Sequence, residues 1–208
     1  MTGEASTTSG VMVRAARQDD AERVAELLYE SAAAKYDQFL GSRRPALALL
    51  ERAFRRNGNT ASCETVSIAE VEGRVAGVLA AFPSAEGDRR ARRLLRIALR
   101  GMAPWRWAEA LRVFRLGSEA VPPPPPDALY VDALATSAAL RRRGAARALL
   151  ADAERRAWTA GLGAVALDTG GGNASARALY EAAGFAVAAA REPYGAVPGV
   201  VAYVKRLT

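Results

Sequence analysis

The chain has 208 residues, half of them hydrophobic, enough for one sizeable buried core in a single decorated domain. One cysteine, Cys63, and no histidine exclude intrachain disulfides, Cys/His zinc clusters and every imidazole mechanism, so a general base is a carboxylate, a tyrosine or a water. The net charge of +7 invites a nucleic-acid reading, but lysine occurs only at Lys35 and Lys205 amid abundant arginine and alanine, which reads as compositional bias; no nucleic-acid partner is expected.

Residues 1–10 (MTGEASTTSG) are small and polar, without the apolar core of a signal peptide, and are read as a disordered tail. No later apolar run approaches the ~20 residues of a membrane span. A cytoplasmic protein with no membrane partner is expected. Val11 to Ala15 reads as a strand, followed by a helix capped by Asp19 with Glu22 in a capping-box position and an apolar stripe of Val24, Leu27 and Leu28. A second helix is predicted from Pro45 to Asn57-Gly58. Thr65 to Val71 and Arg74 to Phe82 flank Glu72-Gly73, the spacing of a two-residue hairpin.

From Pro83 to Val121 the pattern is helical twice, with Asp88 placed to cap the first helix and Pro104 to open the second. This stretch is read as an Arg-rich insertion that could face an acidic partner or a membrane surface, and solvated arginines over an apolar stripe are the expected case. Pro122 to Pro126 form a stiff spacer. Then come a strand (Leu129 to Ala135), a helix (Gly144 to about Ala160), a strand (Ala164 to Asp168), a helix (Ala174 to Ala183, closed by Gly184), a strand (Phe185 to Ala190) and a last alternating strand (Gly199 to Leu207).

Two segments carry the chemistry. Between a strand and a helix lies Arg141-Arg142-Arg143-Gly144-Ala145-Ala146-Arg147, where small residues let a phosphate approach the main chain and the free NH groups of a helix's first turn point at it. An ordinary βα turn also favours glycine, so this segment alone is open to both readings. One strand later comes Asn173-Ala-Ser-Ala176-Arg-Ala-Leu179-Tyr180-Glu-Ala-Ala-Gly184-Phe185, in which Asn173 can cap a helix and Gly184 end it. In order and spacing the two resemble the GNAT superfamily of acyl-CoA N-acyltransferases. Its Q/R-x-x-G-x-G/A motif is matched by Arg141, Gly144 and Ala146, and its N-x-x-A-x-x-L-Y-x-x-x-G-F motif by Asn173, Ala176, Leu179, Tyr180, Gly184 and Phe185. Residues 129–190 match closely and 11–82 more loosely. Departures are Ala146 where glycine is commoner and Thr136-Ser137 where the strand end often reads Val-x-Pro.

The resemblance implies an α/β (α+β) fold with a mixed central sheet of about six to seven strands and helices on both faces. Residues 11–208 would form one acetyltransferase domain, with the insertion (83–121) and the proline spacer (122–126) as additions to the minimal fold. It implies acetyl-CoA as co-substrate, without a metal: the pyrophosphate rests on the backbone between Arg141 and Arg147, and the pantetheine arm pairs with Leu134, Ala135 and Thr136. Asn173, Ala176 and Tyr180 complete the cofactor contacts. An NH near Leu134 would polarise the thioester carbonyl. Tyr180 matches the family's general acid toward the coenzyme A thiolate.

Asp132 is the first candidate base, because a carboxylate within Leu-Tyr-Val-Asp-Ala-Leu-Ala is costly unless paired or used; an arginine partner or a solvent-facing edge would explain it equally. Asp168 could orient the acceptor or simply enter a turn. Tyr29, Tyr36 and Asp37 are weaker acceptor-pocket candidates. The expected function is acetyl transfer to a primary amine of a small molecule or peptide. The alternative is an acyl-CoA sensor of the same fold without transferase activity. Homodimerisation is compatible with the family habit.

Overall fold

The structure is a computed structural model describing residues 6–8, 10–193 and 199–207. Its centre is one eight-stranded sheet in the order β1-β2-β3-β4-β5-β6-β8-β7, in which only β5 and β6 run parallel. The strands are β1 (Ser6–Thr8), β2 (Val11–Ala15), β3 (Val66–Val71), β4 (Arg74–Pro83), β5 (Ala128–Thr136), β6 (Ala164–Gly170), β7 (Ala186–Arg191) and β8 (Val200–Arg206). Seven match the predicted ones. The eighth, β1, falls in the stretch read as a disordered tail: Ser6–Thr8 pair antiparallel with Val11–Val13 across Gly10, whose φ is 80°. A chain reversing at that glycine meets the unpaired ladder of β2. Tail residues 1–5 and 9 lie outside the described residues.

Helices cover both faces. One face carries α6 (Ala145–Thr159) and α7 (Ala174–Ala182) over Val13, Leu79, Val131, Val165 and Tyr203. The other carries α1 (Ala21–Ser31), α3 (Arg43–Phe54) and α4 (Gly87–Arg100) over Ile68, Val78, Ala80 and Ala135. The predicted stripe of Val24, Leu27 and Leu28 is fully buried there. Between β4 and β5 the chain forms α4 and α5 (Trp107–Ala120), the two helices expected of the Arg-rich stretch. The prolines after α5 are tied to β4's end by Ser84 Oγ, which donates to Pro125 O at 2.7 Å.

Several local expectations change. Asp20, not Asp19, organises the entry to α1: its carboxylate accepts from Arg17 N at 2.6 Å and grips Arg14 at 2.8 Å. A separate helix, α2 (Ala33–Leu40), holds Tyr36 and Asp37 and stops at Gly41, whose φ of 92° suits glycine. Helix α3 begins two residues before Pro45 and ends at Phe54, where buried Asn59 donates to Ala53 O in the last turn at 2.9 Å and to Arg56 O just beyond it at 2.6 Å. Neither Asp19 nor Asp88 makes a capping bond. The Glu72-Gly73 turn forms as predicted, both residues at positive φ as in a type I′ turn.

Candidate active site

The site grows from one irregularity in β5. Ala133 lies opposite Ala80 on β4, but Val131 lies opposite Ala81, so Asp132 is an extra residue without a partner, a β-bulge. Side-chain parity reverses there. Leu129 and Val131 face the α6 core, whereas Ala133 and Ala135 face the α1 core. A bulge bends its strand, and β5 duly leaves β6: parallel pairing runs only from Ala128↔Ala164 to Val131↔Leu167. Beyond that level Asp132–Thr136 and Asp168–Gly170 have parted, and β6 pairs with β8 alone.

The gap exposes backbone donors. Ser137 N donates to Ala76 O on β4 at 2.8 Å, so by the two-residue alternation of a strand the NH of Ala135 also points at β4. The NH groups of Leu134 and Thr136 therefore point into the gap. A side chain on Gly77 of β4 would come within 2.9 Å of Ala135 O and 3.2 Å of Thr136 Cγ2, so glycine there is what lets this last stretch of β5 lie close.

On the α6 face, β5 runs through Ala138–Leu140 into the Arg141–Gly144 turn. Arg142 has φ 62° and Gly144 φ 85°, an alternation that turns successive NH groups to one side. Ala148 is the first donor of α6, to Gly144 O at 3.0 Å, and no NH from Arg141 to Arg147 donates to another described residue. Seven consecutive free donors at the positive end of a fifteen-residue helix fit a pyrophosphate without any side chain. The three arginines are not equivalent: Arg143 pairs with Glu72 Oε1 at 2.9 Å, leaving Arg141, Arg142 and Arg147 as the cations without an ion pair among the described residues. Asn173 caps α7, accepting from Ala176 N at 3.2 Å, but its amide donates to Thr169 Oγ1 at 3.2 Å and so is engaged by β6.

Tyr180 stands on α7 with 6 % exposure, its ring edge-on to Tyr203 at 5.6 Å and tilted to Phe185 at 6.2 Å. Among the described residues its hydroxyl has no hydrogen-bond partner, whereas the hydroxyl of Tyr203 donates to Glu181 Oε1 at 3.0 Å. Burial, with the charges of Asp168 and Tyr203, pushes the Tyr180 phenol up to about 12, so it stays protonated across the neutral range.

The opposite face collects the acidic groups. Tyr130, two residues before the bulge, donates its hydroxyl to Asp168 Oδ1, and its ring tilts against Phe82 at 5.9 Å. Asp132 opens to solvent in a cleft walled by enough protein to weaken hydration of its charge. That crowding raises its carboxyl to about 6; Lys35 and Thr60 pull it down and Asp168 pushes it up. Asp168 is raised by burial as well, against the Tyr130 hydroxyl and Lys35. Burial and the Asp132 charge raise Tyr36. Tyr29 stacks on Tyr36 at 6.3 Å, while its hydroxyl donates to both oxygens of Asp37 at 3.0 Å, so Tyr29 and Asp37 brace the wall that Tyr36 presents. A cavity of about 490 Å³ between the prolines and the sheet reaches Tyr130 and Asp168.

The structure thus brings Asp132, Asp168 and Tyr36 together and sets the free turn and Tyr180 across the sheet from them. Sequence reasoning missed Tyr130, Lys35 and Thr60. Tyr130 sits two residues from Asp132 on a strand, a same-face spacing that was readable, and Lys35 is one of two lysines.

The sequence model of the family described as Acetyltransferase (GNAT) family matches residues 25–185, more than three quarters of the chain. The chain belongs to this family. It is an acyltransferase of the family, whose members use acetyl-CoA. Solved structures share the fold. An acetyltransferase of 20% identity superposes with a TM-score of 0.73, covering 94% of this chain and 99% of its own. An N-acetyltransferase from Staphylococcus aureus Mu50, 22% identical, gives 0.71 over 93% and 100% of the two chains. An agmatine N-acetyltransferase variant, 17% identical, gives 0.59 over 95% and 100%. No curated protein matches the sequence significantly.

Proposed function

We propose that this enzyme moves an acetyl group from acetyl-CoA directly to a primary amine of a small molecule or peptide, in the cytoplasm. The observation that carries the reading is the parting of β5 from β6 beyond Val131 and Leu167, with free donors on one side and carboxylates on the other. Acetyl-CoA, when bound, supplies the activated acyl group. The NH groups of residues 141–147, with Arg141, Arg142 and Arg147 around them, hold its pyrophosphate, and Leu134, Ala135, Thr136 and Ala176 line the course of its arm. The NH of Leu134 donates to the thioester oxygen, where negative charge develops on attack.

Asp132 accepts the proton that an acceptor ammonium must lose. An alkyl ammonium with a pKa near ~10.4 is only on the order of 0.1% neutral at pH 7, and a carboxylate raised to about 6 is a stronger base than an ordinary one while still ionised there. Asp168, fixed by Tyr130, and the ring of Tyr36 orient the amine. Tyr180 donates a proton to the departing sulfur, the role suited to a buried phenol without a hydrogen-bond partner among the described residues.

The test is release of free thiol from acetyl-CoA over a panel of amines, with mass spectrometry of the products. Amine-dependent thiol release with an acetylated product supports transfer. Tight acetyl-CoA binding without any release across metabolite and peptide amines would favour the sensor alternative.

A further inference from the structure

The helical pair α4–α5 carries chemistry that acyl transfer does not use. Residues 87–120 contain nine arginines and three carboxylates, a net charge of +6 in a chain whose total is +7. Some of these arginines are structural. Arg90 pairs with Glu64 and Glu86 at 2.8 and 2.7 Å, and Arg106 donates to Leu40 O at 2.8 Å, holding the end of α2. Arg93, Arg96, Arg100 and Arg115 are exposed and have no ion-pair partner among the described residues.

Large apolar groups stand among these cations. Trp105, where the two helices join, is 83% exposed; Leu111 and Trp107 on α5 are 46% and 42% exposed. Trp107, Leu111 and Arg115 recur every four residues and so share one face of α5. Between the helices lies an open groove of about 620 Å³ whose walls include Leu95, Leu111 and Phe114 beside Arg112 and Arg115, with Glu119 as its one carboxylate. A merely solvated face carries scattered apolar residues, not two tryptophans and a leucine within a field of unpaired arginines.

We propose that this face of the α4–α5 pair docks on an anionic lipid surface. Trp105, Trp107 and Leu111 enter the headgroup boundary, and Arg96, Arg100 and Arg115 reach lipid phosphates from their long apolar stems. Charge complementarity fixes the sign of the partner: nearly all of the chain's excess positive charge is on this pair. The exposed aliphatic groups and the apolar groove favour lipid over nucleic acid, since a phosphodiester chain offers nothing that Leu111 gains by leaving water. This reverses the expectation of no membrane partner, which rested on the lack of a spanning segment. No described helix is long and apolar enough to cross a membrane, and lying on one does not require it.

The experiment is flotation of the full chain with vesicles of phosphatidylcholine alone or with one third phosphatidylglycerol, in low and high salt. Binding is expected only to the anionic vesicles and is expected to fall as salt rises. Replacing both Arg96 and Arg115 by Gln should weaken it about 30-fold, and Trp105→Ala about tenfold, with circular dichroism and thiol release unchanged because these residues lie outside the transfer site. In a Trp158→Phe background, tryptophan emission should shift to the blue on binding, since the remaining tryptophans are Trp105 and Trp107. No binding to anionic vesicles, equal binding to neutral ones, binding indifferent to these substitutions, or tighter retention by RNA or an acidic peptide would each overturn the proposal.

Discussion

The two sides of the parted strands are built from different materials. On the α6 side the proposed anion site is main chain: consecutive NH groups from Arg141 to Arg147, aimed by Arg142 and Gly144 at positive φ. On the other side the acidic cleft is all side chain, drawn from α2, the loop after α3, β5 and β6 through Tyr36, Thr60, Asp132 and Asp168. A backbone site needs small residues in one short run, whereas a side-chain site needs four distant segments folded together. The first is therefore a motif; of the second the sequence offers Asp132, Asp168 and Tyr36 one by one, and only the fold brings them together with Thr60.

Substitutions that strike one side should leave the other working. Gly144→Glu puts a side chain at a φ of 85° and a carboxylate among donors meant for phosphate, so acetyl-CoA affinity should fall by about 100-fold or more in a calorimetric titration, with circular dichroism unchanged. Undiminished affinity would remove the turn from the cofactor site. Tyr180→Phe should lower turnover by about ten- to a thousandfold with acetyl-CoA affinity nearly intact, the size usual for losing one proton-transfer group. Turnover equal to wild type would show that Tyr180 is only a core aromatic against Tyr203 and Phe185.

Asp132→Asn probes the acidic side. Wild-type kcat/KM should rise with pH through about 6 as this carboxyl ionises, and the variant should lose that limb and recover only toward alkaline pH, with about tenfold lower activity at neutrality. An unshifted profile points to a water chain instead. Tyr130→Phe frees Asp168 without removing it, so KM for the amine should rise a few-fold, on the order of 1 kcal/mol, while kcat stays near wild type.

The same contrast governs what the sequence made legible. From β5 to β8 every strand and α-helix was predicted within about two residues, because Gly144 and Gly184 mark helix ends by a positive φ that few other residues adopt and Asn173 starts α7 with a side-chain cap. The bulge at Asp132 was not legible, since Leu-Tyr-Val-Asp-Ala-Leu-Ala alternates acceptably in either register and only pairing with β4 shows where parity reverses. Helix α2 went unseen because Tyr29 to Phe39 has no capping signal, and Gly41 marks its end only once Arg106 is seen to close on Leu40 O. Asp20 displaced Asp19 for a tertiary reason: Arg14 lies between it and Glu70, and no local rule chooses between adjacent aspartates.

The smallest expected effect links the acidic side to stability. The Asp132 carboxyl titrates at an ordinary 3.8 when unfolded and at about 6 in the fold, so between those values the folded chain holds a proton that the unfolded chain has released. Its contribution to stability is therefore greatest below the lower value, declines as pH rises toward about 6, and remains unfavourable above it. Asn cannot ionise. Asp132→Asn should accordingly raise Tm relative to wild type at pH 7 to 8, with the gain shrinking toward pH 4, when thermal melts are compared across that range. A gain at neutral pH together with lost turnover would mean that the fold tolerates a poorly hydrated carboxylate there for chemistry's sake. A loss of Tm that is the same at every pH would mean that Asp132 is held by contacts its charge does not govern, and the bulge would then be its structural purpose.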